Sequence, residues 1–126
     1  MVNPPKVKWL DEPEDKDYSA AQSYLSLLVP GGDLDRLIEE LKKAPTGRWR
    51  AKDILRAARL PLLGAKQSEE VAEKLAKIRA NERLSPILIV ILRPDVVAQI
   101  ADGYHRTCAA YLAHEDTHVP GRILFV

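Results

Sequence analysis

The chain has 126 residues, of which 46% are hydrophobic and 29% charged, enough for one domain with its own hydrophobic core. Nineteen basic and eighteen acidic residues leave a formal net charge of +1, whereas nucleic-acid-binding domains are typically strongly basic. The single cysteine excludes an internal disulfide, and the longest apolar run, residues 86–92, is far shorter than the roughly 20 residues of a membrane-spanning helix. The N-terminus has no apolar signal-peptide core. We therefore expect a cytoplasmic protein that binds no membrane, and we do not expect nucleic acid as its partner.

The first 47 residues are predicted to form an extended arm and a helical extension. Prolines and the acidic sequence DEPEDKD favour an extended arm over residues 1–17, with acidic side chains that are either solvated or bound to something cationic. Residues 18–28 suit a short helix, which the Pro-Gly-Gly sequence at 30–32 ends. Asp33 is the predicted N-cap of a second helix. Apolar residues spaced three or four apart form the predicted buried face of this helix: Leu34, Leu37, Ile38 and Leu41.

Residues 48–126 are predicted to form the core of the domain. A short strand over 48–51 and a short helix over 52–59 precede a helix that Ser68 caps. Its predicted buried face consists of Val71, Leu75 and Ile78. The β-branched run 87–92 predicts a central strand, and a turn at 93–95 leads to a returning strand that ends at Ala101. With a further helix and a closing strand, this order predicts a single α+β domain, a small mixed sheet with helices packed mainly on one face.

The most concentrated polar sequence, ADGYHR, lies where a strand is predicted to end and a helix to begin. Gly103 allows the tight turn, and such a junction directs the free N–H groups and the positive dipole end of the helix at one position. That position suits an anion, above all a phosphate group. His105 and Arg106 would add donors and charge there. Asp102 would either cap the helix or hold a metal ion or a substrate proton.

Simpler roles remain open for each of these residues. Asp102 as an N-cap alone would contribute about 1 kcal/mol, Arg106 would be a surface arginine, and His105 a half-buried histidine with its hydrogen bonds satisfied. Lys52, in the neighbouring segment, either reaches the phosphate or stays in solvent. We favour the functional interpretation because the polar groups are adjacent at one junction.

The last helix carries two further patterns. Its predicted buried face leaves His105 and Arg106 outside, and consists of Tyr104, Cys108, Tyr111 and Leu112. The sequence HEDTH, from His114 to His118, has the histidine spacing of a zinc-binding helix. It falls at the helix end, directly before Val119-Pro120, and no third ligand is evident, so we do not expect a zinc site.

The sequence ADGYHRTCAAYL, after the strand sequences PILIVIL and VVAQIA, resembles the ParB/sulfiredoxin superfamily. Members of this superfamily carry a strand, a G-x-H-R or G-x-x-R turn and a helix. The resemblance extends over residues 48–126 and leaves the first 47 residues outside it. It implies a ParB/sulfiredoxin-like fold and a bound nucleotide, which would be ATP, ADP or CTP with Mg²⁺.

The branches of the superfamily imply different chemistry for the turn. Sulfiredoxins have a catalytic cysteine where this chain has Tyr104, so reduction of a cysteine sulfinate is not expected. The sequence D-G-x-H-R is similar to the turn of free-serine kinases, which implies phosphate binding by Gly103, Tyr104, His105 and Arg106. It also implies catalytic roles for Asp102, which would hold Mg²⁺ through the nucleotide, and for His105. The upstream glutamate of those kinases has no clear counterpart here. The DNA-partitioning members use an arginine-rich turn and a helix-turn-helix domain, and neither is evident in this sequence.

The leading expectation is therefore a nucleotide- or phosphate-binding domain that acts as a small-molecule phosphotransferase or a nucleotide hydrolase. Two alternatives stay open. One is a non-catalytic module that binds a ligand, a protein partner or a second copy of itself. The other is a nucleic-acid-binding or nuclease-like protein, which the near-neutral charge disfavours.

Overall fold

The computed structural model describes residues 6–94 and 96–126. Its elements, in chain order, are β1 (Lys8–Trp9), α1 (Asp15–Leu25), α2 (Gly31–Lys43), β2 (Thr46–Arg50), α3 (Ala51–Ala58), α4 (Glu69–Arg79), β3 (Arg83–Leu84), β4 (Ile87–Ile91), β5 (Ala98–Asp102), α5 (Tyr104–Ala113) and β6 (His118–Phe125). Four strands form one sheet in the order β2-β6-β4-β5, and β1 and β3 form a separate parallel pair. Strand β6 runs parallel to β4 and antiparallel to β2, and β5 runs antiparallel to β4. The predicted α+β class, with a small mixed sheet, is confirmed.

The helices cover both faces of the four-stranded sheet. Because every residue of β4 is apolar, both of its faces need cover. Leu88 and Val90 pack under α1 and α2, whereas Ile87 and Ile89 pack under α3 and α5. Helix α4 packs on α5 as an outer layer on that second side. The helices of residues 48–126 therefore collect on one face and the N-terminal extension covers the other, so the expectation of helices mainly on one face does not hold for the whole sheet.

The N-terminal elements begin earlier than predicted. Helix α1 starts at Asp15 and ends at Leu25, so the predicted bounds 18–28 are wrong, and the arm is not extended throughout. The Asp17 carboxylate accepts a hydrogen bond from the backbone N–H of Glu14 at 2.8 Å, which stabilises this early start. Strand β1 also lies within the predicted arm, and residues 1–5 lie outside the described ones.

Helix α2 begins at Gly31, with Pro30 at the N-cap, so the prediction of Asp33 as N-cap is also wrong. Proline favours helix starts because its fixed backbone angle is already suitable. Asp33 instead lies in the first turn and pairs with Arg36 at 2.8 Å. The predicted buried face is confirmed, since the same four residues are buried: Leu34, Leu37, Ile38 and Leu41.

The elements predicted for residues 48–126 are present with small shifts of their ends. The Ser68 hydroxyl accepts a hydrogen bond from the Val71 N–H at 3.2 Å, so the predicted cap is confirmed, as is the buried face of α4. The hairpin of β4 and β5 forms as expected, although Asp95 of its predicted turn lies outside the described residues. No helix within the described ranges has the length and apolar character needed to cross a lipid bilayer.

Candidate functional site

The predicted strand–glycine–helix junction is present. Strand β5 ends at Asp102 and α5 begins at Tyr104, with Gly103 between them at a φ of 117°. A side chain at this position would be strained in the backbone, and its Cβ would lie 2.3 Å from Cγ2 of Ile87. The position therefore requires glycine for two reasons, conformation and close packing.

The prediction that Arg106 lies outside the buried face of α5 is wrong, because Arg106 is only 8% exposed. Its Nη2 donates hydrogen bonds to Oδ2 of Asp102 at 3.0 Å and to the Pro86 carbonyl at 3.2 Å. Its Nη1 lies 3.6 Å from Oδ1 of Asp17 on α1. Helical side chains lean toward the helix N-terminus, and here that direction leads into the space between β5 and α1. The two carboxylates compensate the buried guanidinium charge.

Asp17 is the site residue that the sequence did not reveal. The acidic sequence around it predicted solvated side chains or a cationic partner, yet Asp17 is 3% exposed and its partner is inside the protein. One signal was available. Asp17 precedes Tyr18 and stands four residues before Ala21 and eight before Leu25, so it shares their buried helical face.

The two carboxyl groups differ in how readily they take up a proton. Burial raises the pKa of Asp102 to about 6, against its ordinary 3.8, and the Arg106 charge only partly opposes this. Burial also raises the pKa of Asp17, but the hydrogen bond with Asp102, the Glu14 backbone and the Arg106 charge outweigh it, so that this pKa is lowered. Asp102 is therefore the member of the pair that takes up a proton first as the pH falls, and Asp17 does so only in more acidic solution.

The carboxyl pair opens into a cleft of about 260 Å³ between α1, α4 and the β5–α5 junction. Four cationic side chains also line it, in addition to Arg106: Lys16, Lys74, Lys77 and Arg83. Burial, followed by the neighbouring charge of Lys77, lowers the pKa of Lys74, with smaller contributions from Arg106 and Lys16. The cleft is thus a region of positive potential around a carboxyl pair.

The other predicted phosphate ligands lie outside this cleft. Tyr104 donates a hydrogen bond from its hydroxyl to the Pro61 carbonyl, and its ring stacks on His105 with 5.5 Å between the centroids. His105 faces the start of α4. There, hydrogen bonds from the backbone N–H of Glu70 and from Ser68, followed by the His105 charge, lower the pKa of Glu70.

Lys52 is not brought to the junction either. Its Nζ lies 2.9 Å from Asp116 and 3.6 Å from Glu115, just beyond the C-terminal end of α5. The junction is at the opposite end of that helix, ten residues away. The structure therefore joins Asp102 and Arg106 with Asp17, and leaves Lys52 elsewhere.

The two histidines of HEDTH do not share a helical face, because α5 ends at Ala113. Nδ1 of His114 accepts a hydrogen bond from the Asp116 N–H at 3.1 Å, and His118 begins β6. Within residues 6–94 and 96–126, no group of three or more histidine, cysteine, aspartate or glutamate side chains is placed to hold a metal ion.

Comparison with protein-family models, with curated proteins and with solved structures gives no match. The resemblance to the ParB/sulfiredoxin superfamily remains an interpretation of the residues.

Proposed function

We propose that this chain binds a phosphorylated small molecule, such as a nucleotide, in the cleft above Asp17 and Asp102. The observation that carries the proposal is the ring of cationic side chains around the cleft. Burial is the main cause of the lowered pKa of Lys74, and the charge of Lys77 adds to it while Glu73 opposes it. Five cationic side chains line the cleft, against three carboxyl groups, those of Glu14, Asp17 and Asp102. A bound anion would relieve this excess.

Lys16 pairs with Glu14 at 3.7 Å, but the ion pairs of the other cations leave charge available for a ligand. Lys74 and Lys77 share one carboxylate, Glu73, at 4.0 and 3.9 Å, which is at the limit of an ion pair. Arg83 forms no ion pair with any residue in the described part of the chain. The cleft volume of about 260 Å³ is below the roughly 300–1,000 Å³ of pockets for drug-sized ligands. It therefore suits a phosphoryl group and the adjoining part of a ligand, with the rest outside.

The carboxyl pair suits acid–base chemistry on such a ligand. A general base works best when its pKa is near the working pH, and the raised pKa of Asp102, about 6, moves in that direction. We infer that Asp102 accepts the proton of an attacking hydroxyl or water in phosphoryl transfer or hydrolysis. Arg106 then acts as a positioning residue that holds both carboxyl groups, and the lysines meet the phosphate charge.

A magnesium ion fits this proposal only as a companion of the nucleotide. Mg²⁺ in phosphate sites is commonly bound through one or two carboxylates together with substrate phosphates, and Asp102 and Asp17 supply two. Both face the Arg106 guanidinium, at 3.0 and 3.6 Å, which competes with any cation for their oxygens. When bound with the nucleotide, the ion would neutralise phosphate charge, and no other step depends on it.

The binding proposal is tested with Lys77→Ala and a matched control, Lys43→Ala. Both lysines lie in the last turn of a helix, so the two substitutions alter the helix dipole similarly, but only Lys77 lines the cleft. ATP, ADP, CTP and pyrophosphate, each with Mg²⁺, are tested by thermal melting and calorimetry. We expect at least one to raise the melting temperature of the wild type and of Lys43→Ala, and to have much less effect on Lys77→Ala. No shift in the wild type, or equal shifts in both variants, would contradict the proposal.

Catalysis is tested separately with Asp102→Asn. Asparagine keeps the shape of the protonated carboxyl but cannot accept a proton, so this variant should keep nucleotide binding and lose release of ADP or phosphate. The assay uses a panel of small hydroxyl acceptors. If the wild type shows binding without turnover, and Asp102→Asn binds equally well, the chain is a non-catalytic binding module.

A further inference from the structure

A second concave surface lies beside the cleft and centres on Trp9 of β1. Two cavities of about 480 and 340 Å³ meet there, and both are lined by Lys6, Trp9 and Arg48. The larger cavity is also lined by Lys8 and by Arg83, which reaches the cleft on its other side. We name this surface the Trp9 groove, defined by these five residues.

Positive charge in the Trp9 groove is not compensated by neighbouring acids. Among the described residues, none of its four cations forms an ion pair: Lys6, Lys8, Arg48 and Arg83. One carboxylate, that of Asp11, lines the larger cavity. Another, that of Asp116, lines the smaller cavity but is bound to Lys52 at 2.9 Å. Unpaired cations in a concave surface concentrate positive potential there, although the whole chain carries only +1.

Trp9 lines both cavities and is the aromatic residue that they share. It is half-buried, with part of its side chain packed against the apolar residues around α3, α4 and α5. This packing holds the indole in place. A rigid aromatic surface flanked by cations is the arrangement on which single-stranded nucleic acids bind, with bases stacked on the ring and phosphates beside the cations.

We propose that the Trp9 groove binds single-stranded nucleic acid, with a base against Trp9 and the backbone phosphates against the surrounding cations. An acidic peptide would satisfy the charges but gain nothing from the indole that the two cavities share. A duplex would present phosphates while its bases stay stacked inside the helix. The groove and the small-molecule cleft share Arg83, but Lys74 and Lys77 line only the cleft, and Lys8 and Arg48 line only the groove.

Binding is measured by fluorescence anisotropy with labelled oligothymidylate and oligouridylate, and with a duplex of equal length. Four phosphate contacts predict that log K falls with log salt concentration with a slope of about −3, since each contributes about 0.7 on a single strand. Lys8→Ala with Arg48→Ala should reduce this slope by about half and weaken binding markedly. The matched control, Lys43→Ala with Lys66→Ala, removes the same net charge from residues that line none of the three cavities, and should bind like the wild type.

Stacking is measured in the Trp49→Phe variant, which leaves Trp9 as the single tryptophan. The single strands should quench its fluorescence at the concentrations at which anisotropy rises. Inorganic polyphosphate and polyglutamate serve as polyanions without bases. Equal affinity for these polyanions, absence of quenching, or equal loss in the test and control variants would each overturn the proposal. The groove variants leave Lys77 intact, so the two proposals can fail separately. Nucleotide binding in the cleft can persist when the groove binds no single strand, and the groove can bind a single strand when the cleft binds no nucleotide.

Discussion

Replacing Asp102 by asparagine should remove a pH dependence from the stability of the fold. The side chain of Asp102 is 18% exposed, and burial raises its pKa from the ordinary 3.8 to about 6. This difference corresponds to about 3 kcal/mol, since each pH unit is worth 1.36 kcal/mol. The folded state holds the proton more tightly than the unfolded state. The stability gained from it is therefore fully present below about pH 4 and is lost as the pH rises through about 6.

The change of the free energy of unfolding with pH has an upper limit. One proton changes the free energy of unfolding by at most about 1.4 kcal/mol per pH unit between these two pH values. Asp17 acts in the opposite sense and in a different range. Its pKa is lowered, so its contribution is present at neutral pH and disappears only in more acidic solution. Glu70, whose pKa is lowered from its ordinary 4.5, acts in the same sense as Asp17 in the acidic part of the range, so the change in stability toward pH 6 reports on Asp102.

The assay is urea denaturation of the wild type and Asp102→Asn between about pH 4 and 6, with Asp33→Asn as a control on an exposed carboxylate. The wild type and the control should lose stability as the pH rises, whereas Asp102→Asn should stay nearly constant. At neutral pH the variant should be as stable as the wild type or more stable, by up to about 3 kcal/mol, less the lost attraction of Arg106. Parallel curves for all three proteins would refute the assignment of the proton to Asp102.

Four further outcomes follow from the structure. Gly103→Ala should lower the free energy of unfolding by about 2–5 kcal/mol in denaturant titrations, from backbone strain and the clash with Ile87. Cys108→Ala should keep ligand binding in calorimetry at a stability cost of about 1 kcal/mol, because burial raises the pKa of this thiol and keeps it unreactive. Ser68→Ala should cost about 1 kcal/mol in the same titrations, through loss of the cap on the Val71 N–H. Duplex DNA should bind weakly and without sequence preference in gel-shift titrations at physiological salt, because few cations meet it and its bases are not free to stack.

The sequence predicted best the elements that depend on residues close together in the chain. The Ser68 cap lies three residues from the N–H that it satisfies, and the buried faces of α2 and α4 follow a single helical repeat. The continuous apolar run of β4 also predicted a centrally buried strand. The apolar run did not reveal that α1 and α2 of the N-terminal extension cover one of the two faces of this strand.

Helix α5 shows why periodicity failed at the site itself. A helix that packs on one side only buries a single face. Helix α5 instead lies between the sheet and α4, and five successive residues from Arg106 to Ala110 are buried. Leu112, which was predicted on the buried face, is 40% exposed. The burial of a charged residue in such a helix depends on whether a counter-charge is available in space, and helical spacing carries no information on that.

The counter-charge also limits how far the superfamily resemblance can be extended. The resemblance covers residues 48–126, but the positive charge of Arg106 is compensated by Asp17 of α1 as well as by Asp102. Residues 48–126 alone would leave Arg106 with one carboxylate and would expose the face of the sheet that α1 and α2 cover. The N-terminal extension is therefore part of the candidate site, and the charge balance of Arg106 in the D-G-x-H-R turn depends on a carboxylate that the turn itself does not contain.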